Sequence, residues 1–201
     1  MLGPYIRNAM SLARDEYARR LGELLLTPEE SLAIKVPGGV AAAVLVPLYV
    51  SNGDLHAVFT KRNADLRRHA GEISFPGGRR DPDENLRATA LREAEEEIGL
   101  ESTDVEIVGA LPPTGTIVTN YAIYPFVGLI EPGGVFRPNP IEVDAIVELS
   151  LPALAAGFER KRLIRRGVPI RTDTYTVEGS FIWGATARIL GNLLARLQPL
   201  I

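Results

Sequence analysis

The chain has 201 residues, 46% of them hydrophobic and 23% charged, which is the balance of a globular protein with a sizeable core rather than a disordered chain. A formal net charge of −3 provides no global field for nucleic acid or an anionic membrane, so an anionic ligand needs a local basic site or a metal. The absence of cysteine excludes disulfides, thiolate zinc sites and cysteine nucleophiles, leaving the chemistry to oxygen and nitrogen groups.

From Pro4 to Leu26 apolar residues recur at helical spacing among Arg, Asp and Glu, predicting an amphipathic helix packed on a single domain of residues 1–201. Arg7, Arg14, Asp15 and Glu16 break its first turns, unlike the apolar core of a secretory signal. Val40 to Val50 reads as a buried strand; interrupted by Pro47, it is far shorter than the ~20 residues of a membrane helix. Ser51-Asn52-Gly53-Asp54 turns the chain into a second strand, Leu55 to Thr60. A helix is expected from Pro82, capped by Asp81, to Ile98, with Gly99 stopping it in the left-handed conformation. Strands follow at Val105 to Leu111, Ala122 to Ile130 and Ala145 to Leu151, then an edge strand at Arg171 to Val177 and a helix from Gly184 to Leu197. Helices alternating with a mixed sheet predict a layered α/β domain. The expected protein is cytoplasmic, with a small-molecule substrate and neither nucleic acid nor membrane as partner; a homodimer is left open.

The acidic helix carries the chemistry. At about 100° per residue, Glu93, Glu96 and Glu97 share an arc of roughly 100°, beside an apolar arc of Leu86, Ala90, Leu91, Ala94 and Ile98. Like charges at these spacings cost a few tenths of a kcal/mol per pair. Such a face is either simply solvated or a set of hard oxygen ligands for Mg²⁺ or Mn²⁺. Arg92 is placed to hold a neighbouring carboxylate.

The frame decides between these readings. Gly78, five residues, Glu84, seven residues, then Arg92-Glu93-Ala94-Glu95-Glu96-Glu97-Ile98-Gly99-Leu100 resembles the Nudix box at every defined position. The resemblance implies a Nudix-type α/β/α sandwich with a mixed central β-sheet and metal-dependent cleavage of a pyrophosphate bond. It also implies that Glu93, Glu96 and Glu97 bind catalytic Mg²⁺ or Mn²⁺, that the Gly77 carbonyl adds a ligand, and that Glu84 and Arg92 support them.

The flanking spacing of Thr60-Lys61-Arg62, Arg67, Gly71 and Phe75-Pro76-Gly77-Gly78 resembles the coenzyme A pyrophosphatase subfamily, departing from it at Asn63 and at Val58-Phe59. For coenzyme A this implies release of 3′,5′-ADP and 4′-phosphopantetheine. Arg62, Arg67 and Arg68 are either a guanidinium rim for phosphates or ordinary surface charge. Asn139-Pro140-Ile141-Glu142-Val143 resembles a segment of relatives, making Glu142 a candidate late ligand or general base. His56 and His69 are read as surface or structural residues. The loop from Pro112 to Tyr121 is a lid, a substrate wall or plain surface. The basic run Arg160-Lys161-Arg162, Arg165-Arg166 and Arg171 is expected as a solvated loop, the alternative being a contact to a 3′-phosphate. Phe181 to Leu190 resembles the subfamily's closing strand-to-helix element. The rival readings are a broader pyrophosphatase for ADP-ribose, NADH or nucleoside triphosphates, and a Nudix-fold module that binds a nucleotide without hydrolysing it.

Overall fold

The computed structural model describes residues 4–63, 71–116, 119–165 and 168–201, with the backbone alone at 4–13, 165 and 168. In chain order the elements are α1 (Pro4–Leu24), α2 (Pro28–Ala33), β1 (Val40–Ser51), β2 (Asp54–Arg62), β3 (Ile73–Ser74), β4 (Gly77–Arg79) and α3 (Leu86–Ile98). There follow β5 (Glu106–Ala110), β6 (Thr114–Gly115), β7 (Tyr121–Leu129), β8 (Val143–Ser150), α4 (Leu151–Ala156), β9 (Phe158–Arg165), β10 (Val168–Val177), β11 (Ser180–Trp183) and α5 (Gly184–Leu197).

The main sheet is mixed. β1 runs parallel to β7, from Val40 opposite Tyr121 to Leu48 opposite Leu129, and antiparallel to β2 and β4. Alternation along β1 sends Ala43 and Leu45 to one face and Val44, Val46 and Leu48 to the other. On the first face Ala90, Ala94 and Ile98 seat α3, the two alanines letting the helix lie close to the strand. The opposite face is covered by Leu21 of α1, Leu151 and Leu154 of α4, and Leu190, Leu193 and Leu197 of α5. The result is the expected α/β/α layering.

β1 changes partner along its length. Ala42 to Val44 pair with β4, whereas Leu48 to Ser51 pair with β2. Pro47, with no amide hydrogen to give, falls between the two stretches. β2 continues past that point to pair with β8 and β3, which leaves a notch between its end at Arg62 and the Gly77–Gly78 backbone. The candidate site occupies this notch.

Three expectations are corrected. The acidic helix opens at Leu86 rather than Pro82, because Asn85 takes an extended conformation and its side chain accepts the Ala88 amide at 2.9 Å. Asp81 closes a turn instead, accepting the Glu84 amide at 3.2 Å. The segment Arg171 to Val177 is not at an edge: β10 is the middle strand of a second, antiparallel sheet ordered β11-β10-β9. Arg160, Lys161, Arg162, Arg165 and Arg171 lie not in a loop but in the paired strands of that sheet, where Leu163, Ile170 and Thr172 occupy the face opposite Arg162 and Arg171; Arg166 lies outside the described residues. Gly99 stops α3 as expected, at φ 66° and ψ 25°.

Candidate active site

Glu97 projects from the last turn of α3 into the notch and is 4% exposed. Its Oε2 accepts the Gly77 amide at 3.3 Å, and its Oε1 lies 3.8 Å from Arg62 Nη1. Burial pushes its carboxyl up to about 7, with the Glu93 and Glu142 charges adding to the rise and the Gly77 amide and Arg62 opposing it. Glu93, one turn earlier, is also pushed above the ordinary carboxylate range by burial, against the pull of Arg92. Gly78 leaves room for it, because a Cβ there would collide with the Glu93 carboxylate.

Arg92 organises the outer side of α3. It donates from Nε to Glu84 at 3.1 Å and from Nη2 to the Arg79 carbonyl at 3.3 Å, and its Nη1 lies 3.0 Å from both Glu93 and Glu96. Glu84 also accepts the Thr89 hydroxyl at 2.7 Å, and Arg92 beside it holds its carboxyl below the usual range. These contacts follow from the corrected start of the helix, which leaves Glu84 ahead of the first turn and free to reach back over it. Glu96 is largely exposed and turned toward Arg92, while Glu95 faces solvent. The structure therefore brings Glu93 and Glu97 together in the notch and leaves Glu96 at its rim.

The loop before β8 is fastened to the end of α3. Asn139 donates its amide to the Glu97 carbonyl at 2.9 Å, and Arg137 donates to the Ile98 carbonyl at 2.8 Å. Asn63 meets the same loop, its amide donating to the Glu142 carbonyl at 2.9 Å. Glu142 is thus half-buried and close enough for its charge to be felt at Glu93 and Glu97. The resemblance to relatives supplied Glu142 but not this strap, or the Thr89 support of Glu84, because backbone acceptors and a single threonine carry no pattern.

A cavity of about 350 Å³ opens beside Glu97's neighbours, lined among others by Arg62, Phe75, Gly77, Tyr121, Thr186 and Ile189. It unites β2, the segment entering β4, β7 and the start of α5. Arg67, Arg68 and His69 lie outside the described residues. His56 is half-buried, stacked on Tyr49 with ring centres 5.1 Å apart. In the loop from Pro112 to Tyr121, Thr114 and Gly115 pair with β7 as β6.

A model of the NUDIX domain matches residues 39–166, a span that includes the acidic helix, the notch and the Glu142 loop. The chain belongs to the Nudix family. A protein named "Uncharacterized Nudix hydrolase NudL" from Escherichia coli (strain SMS-3-5 / SECEC) is 40% identical over 159 residues, 78% of this chain and 82% of its own. One of the same name from Photorhabdus laumondii subsp. laumondii is 39% identical over 160 residues, covering 78% and 84%. Among solved structures, a MutT/nudix family protein from Enterococcus faecalis shares the fold, with TM-score 0.53 over 92% of this chain and 74% of its own at 12% identity. The Nudix hydrolase RenU from M. smegmatis aligns with TM-score 0.51 over 66% and 81% at 18% identity.

Nudix enzymes are pyrophosphohydrolases that generally use divalent ions such as Mg²⁺ or Mn²⁺. Among the described residues no three His, Asp or Glu side chains stand ready as a cage. The donor set nonetheless fits such a cation: two inward carboxylates, both destabilised as anions by burial, with oxygen donors only. Their nearest positive neighbours are arginines that a bound cation would relieve. No helix among the described residues is long and apolar enough to cross a membrane.

Arg92→Ala is expected to destabilise this Nudix chain by about 2–3 kcal/mol, because it strips charge-assisted partners from Glu84, Glu93 and Glu96 at once. Urea denaturation in EDTA measures it. A loss under about 0.5 kcal/mol, the scale of an ordinary surface ion pair, would mean that Arg92 holds nothing in place.

Proposed function

We propose that the chain hydrolyses the pyrophosphate bond of coenzyme A or its derivatives, giving 3′,5′-ADP and 4′-phosphopantetheine. The observation that carries this reading is convergence: both segments that resemble the coenzyme A pyrophosphatase subfamily, far apart in sequence, line one cavity. Arg62, Phe75 and Gly77 come from the first, and Thr186 and Ile189 from the closing element.

In this proposal Glu93, Glu96 and Glu97 hold Mg²⁺ or Mn²⁺, with the Gly77 carbonyl as a further donor and Glu84 and Arg92 as positioning residues. The cation, when bound, neutralises the diphosphate and acidifies an attacking water. Glu142 accepts the proton of that water; it is a half-buried carboxylate whose charge is felt at both Glu93 and Glu97, which puts it within reach of the site. Arg62, with Arg67 and Arg68, takes the substrate phosphates, exchanging its 3.8 Å contact with Glu97 for a two-pronged contact to phosphate oxygens.

The test is product analysis by mass spectrometry after incubation with coenzyme A, ADP-ribose and NADH in parallel. Fastest cleavage of coenzyme A, to 3′,5′-ADP and phosphopantetheine, is the expected result. Faster cleavage of another substrate would refute the subfamily reading, and cleavage of none would favour the non-hydrolysing nucleotide module. Arg62→Ala is expected to raise KM for coenzyme A by about tenfold or more, the loss of one charge-assisted phosphate contact. An unchanged KM would return Arg62 to a purely structural role.

A further inference from the structure

A second hollow, of about 580 Å³, lies apart from the notch and is lined by Pro113, Phe158, Asp173, Tyr175, Arg188 and Asn192 among others. One of its walls is formed by Phe158, Asp173 and Tyr175, from one face of the paired strands β9 and β10. The register sets Tyr175 opposite Phe158, Asp173 opposite Arg160 and Arg171 opposite Arg162. Since strand residues two apart share a face, the three arginines belong to the face that Phe158, Asp173 and Tyr175 present to the hollow. Three rows follow one another outward: two aromatics, an acid beside a base, and two arginines, at intervals of about 6.6 Å.

Each row offers something that folding alone leaves unused. Phe158 is 46% exposed, its ring 5.5 Å from that of the buried Tyr175. The Tyr175 hydroxyl has no hydrogen bond among the described residues. Gly191 opposite leaves that hydroxyl uncovered, for a Cβ there would stand 3.2 Å from it. In the middle row Arg160 Nε donates to Asp173 Oδ1 at 2.8 Å, leaving Oδ2 to accept. In the outer row Arg162 and Arg171 are both exposed, and neither has an acidic partner among the described residues. Like charges directly opposite each other in a sheet repel, and the acid of the next row, Asp173, is held by Arg160.

We infer that this face is a second nucleotide site, separate from the hydrolytic cavity. The base lies against Phe158 within reach of the Tyr175 hydroxyl and the Asn192 amide, the ribose hydroxyls donate to Asp173, and a 5′-diphosphate bridges Arg162 and Arg171. Two row intervals, about 13 Å, span the distance from base through ribose to diphosphate. Aromatic faces stack bases of any sequence, and paired guanidinium groups match phosphate geometry. The occupant is therefore a nucleoside diphosphate, acting on the chain without being its substrate.

Equilibrium dialysis of ADP against the full chain in EDTA tests this, because without a cation the notch carboxylates disfavour a diphosphate there. Saturable binding is expected, weakened at least about tenfold by Arg162→Ala/Arg171→Ala through lost charge-assisted contacts, and left unchanged by Arg62→Ala. The double variant should hydrolyse its substrate with unaltered kcat and KM. Absence of saturable binding, equal binding by the double variant, loss of binding in Arg62→Ala, or a raised KM in the double variant would each overturn the inference.

Discussion

Glu97→Gln is expected to cut turnover by at least about 100-fold, while leaving the cation-free protein as stable as the parent or more so. The activity loss follows from removing one of the two inward charges that would hold the cation, a change that weakens both its affinity and its position. The stability gain has a separate origin. Glutamine keeps the oxygen that accepts the Gly77 amide at 3.3 Å but discards a charge that is 4% exposed. In the parent chain the folded carboxyl is pushed up to about 7 from an ordinary 4.5, mainly by burial. Between those values the unfolded chain has released its proton and the folded chain still holds it, so the unfolded state binds fewer protons and stability falls as pH rises. Across that window the loss amounts to roughly 3 kcal/mol, fully developed above pH 7. Denaturation curves in EDTA from pH 4.5 to 8 should therefore slope downward for the parent and be flatter for Glu97→Gln. Parallel curves would mean that Glu97 is not a strained buried acid, and near-normal turnover would remove it from the chemistry.

Gly77→Ala is expected to be a severely damaging single-methyl change at the heart of the site. A Cβ at this position would collide with the Ala43 carbonyl and come within 2.6 Å of Val44 Cα, both of them backbone atoms of β1. No side-chain rotation relieves such a clash, so β4 must lift from its pairing with Ala42, Ala43 and Val44. That costs about 2–3 kcal/mol or more, the upper range for overpacking, and lowers Tm by roughly 5–10 °C in a chain of this size. It also moves the amide that Glu97 depends on, so activity should fall with stability. Gly134→Ala is the control, its nearest neighbour being the Glu131 carbonyl at 3.9 Å. Equal Tm values for the two variants would show that β4 has freedom the packing does not suggest.

The site's acidic half was legible in the sequence because it is local. Arg92, Glu93, Glu96 and Glu97 are tied together by helical spacing, which also distinguishes Glu95 as outward, while Glu84 was marked by the resemblance to the Nudix box. The start of the helix was less legible: Asp81-Pro82 matches a capping pattern, yet Asn85 takes that place, accepting the Ala88 amide at 2.9 Å, and Glu84 is left outside the helix to meet Thr89 and Arg92. The cavity beyond the helix depends on residues as far apart as Arg62, Tyr121 and Thr186, whose meeting no spacing encodes. The β9–β10 sheet was misread for a physical reason too. Arg160, Lys161 and Arg162 look like a solvated loop until their cross-strand partners are known, because the alternation is spread over two strands.

In the proposed site Glu97 and Glu93 form a pair of buried acids, strained when empty, that a divalent ion completes. Calorimetric titration of the cation-free chain with Mn²⁺ at pH 6.5, in two buffers of different ionisation enthalpy, tests it most directly. Saturable binding with net proton release is expected, since Glu97 must give up its proton to bind, with an affinity at least about tenfold lower in Glu97→Gln and without that release. Binding of equal affinity in both proteins, or none in the parent, would contradict it.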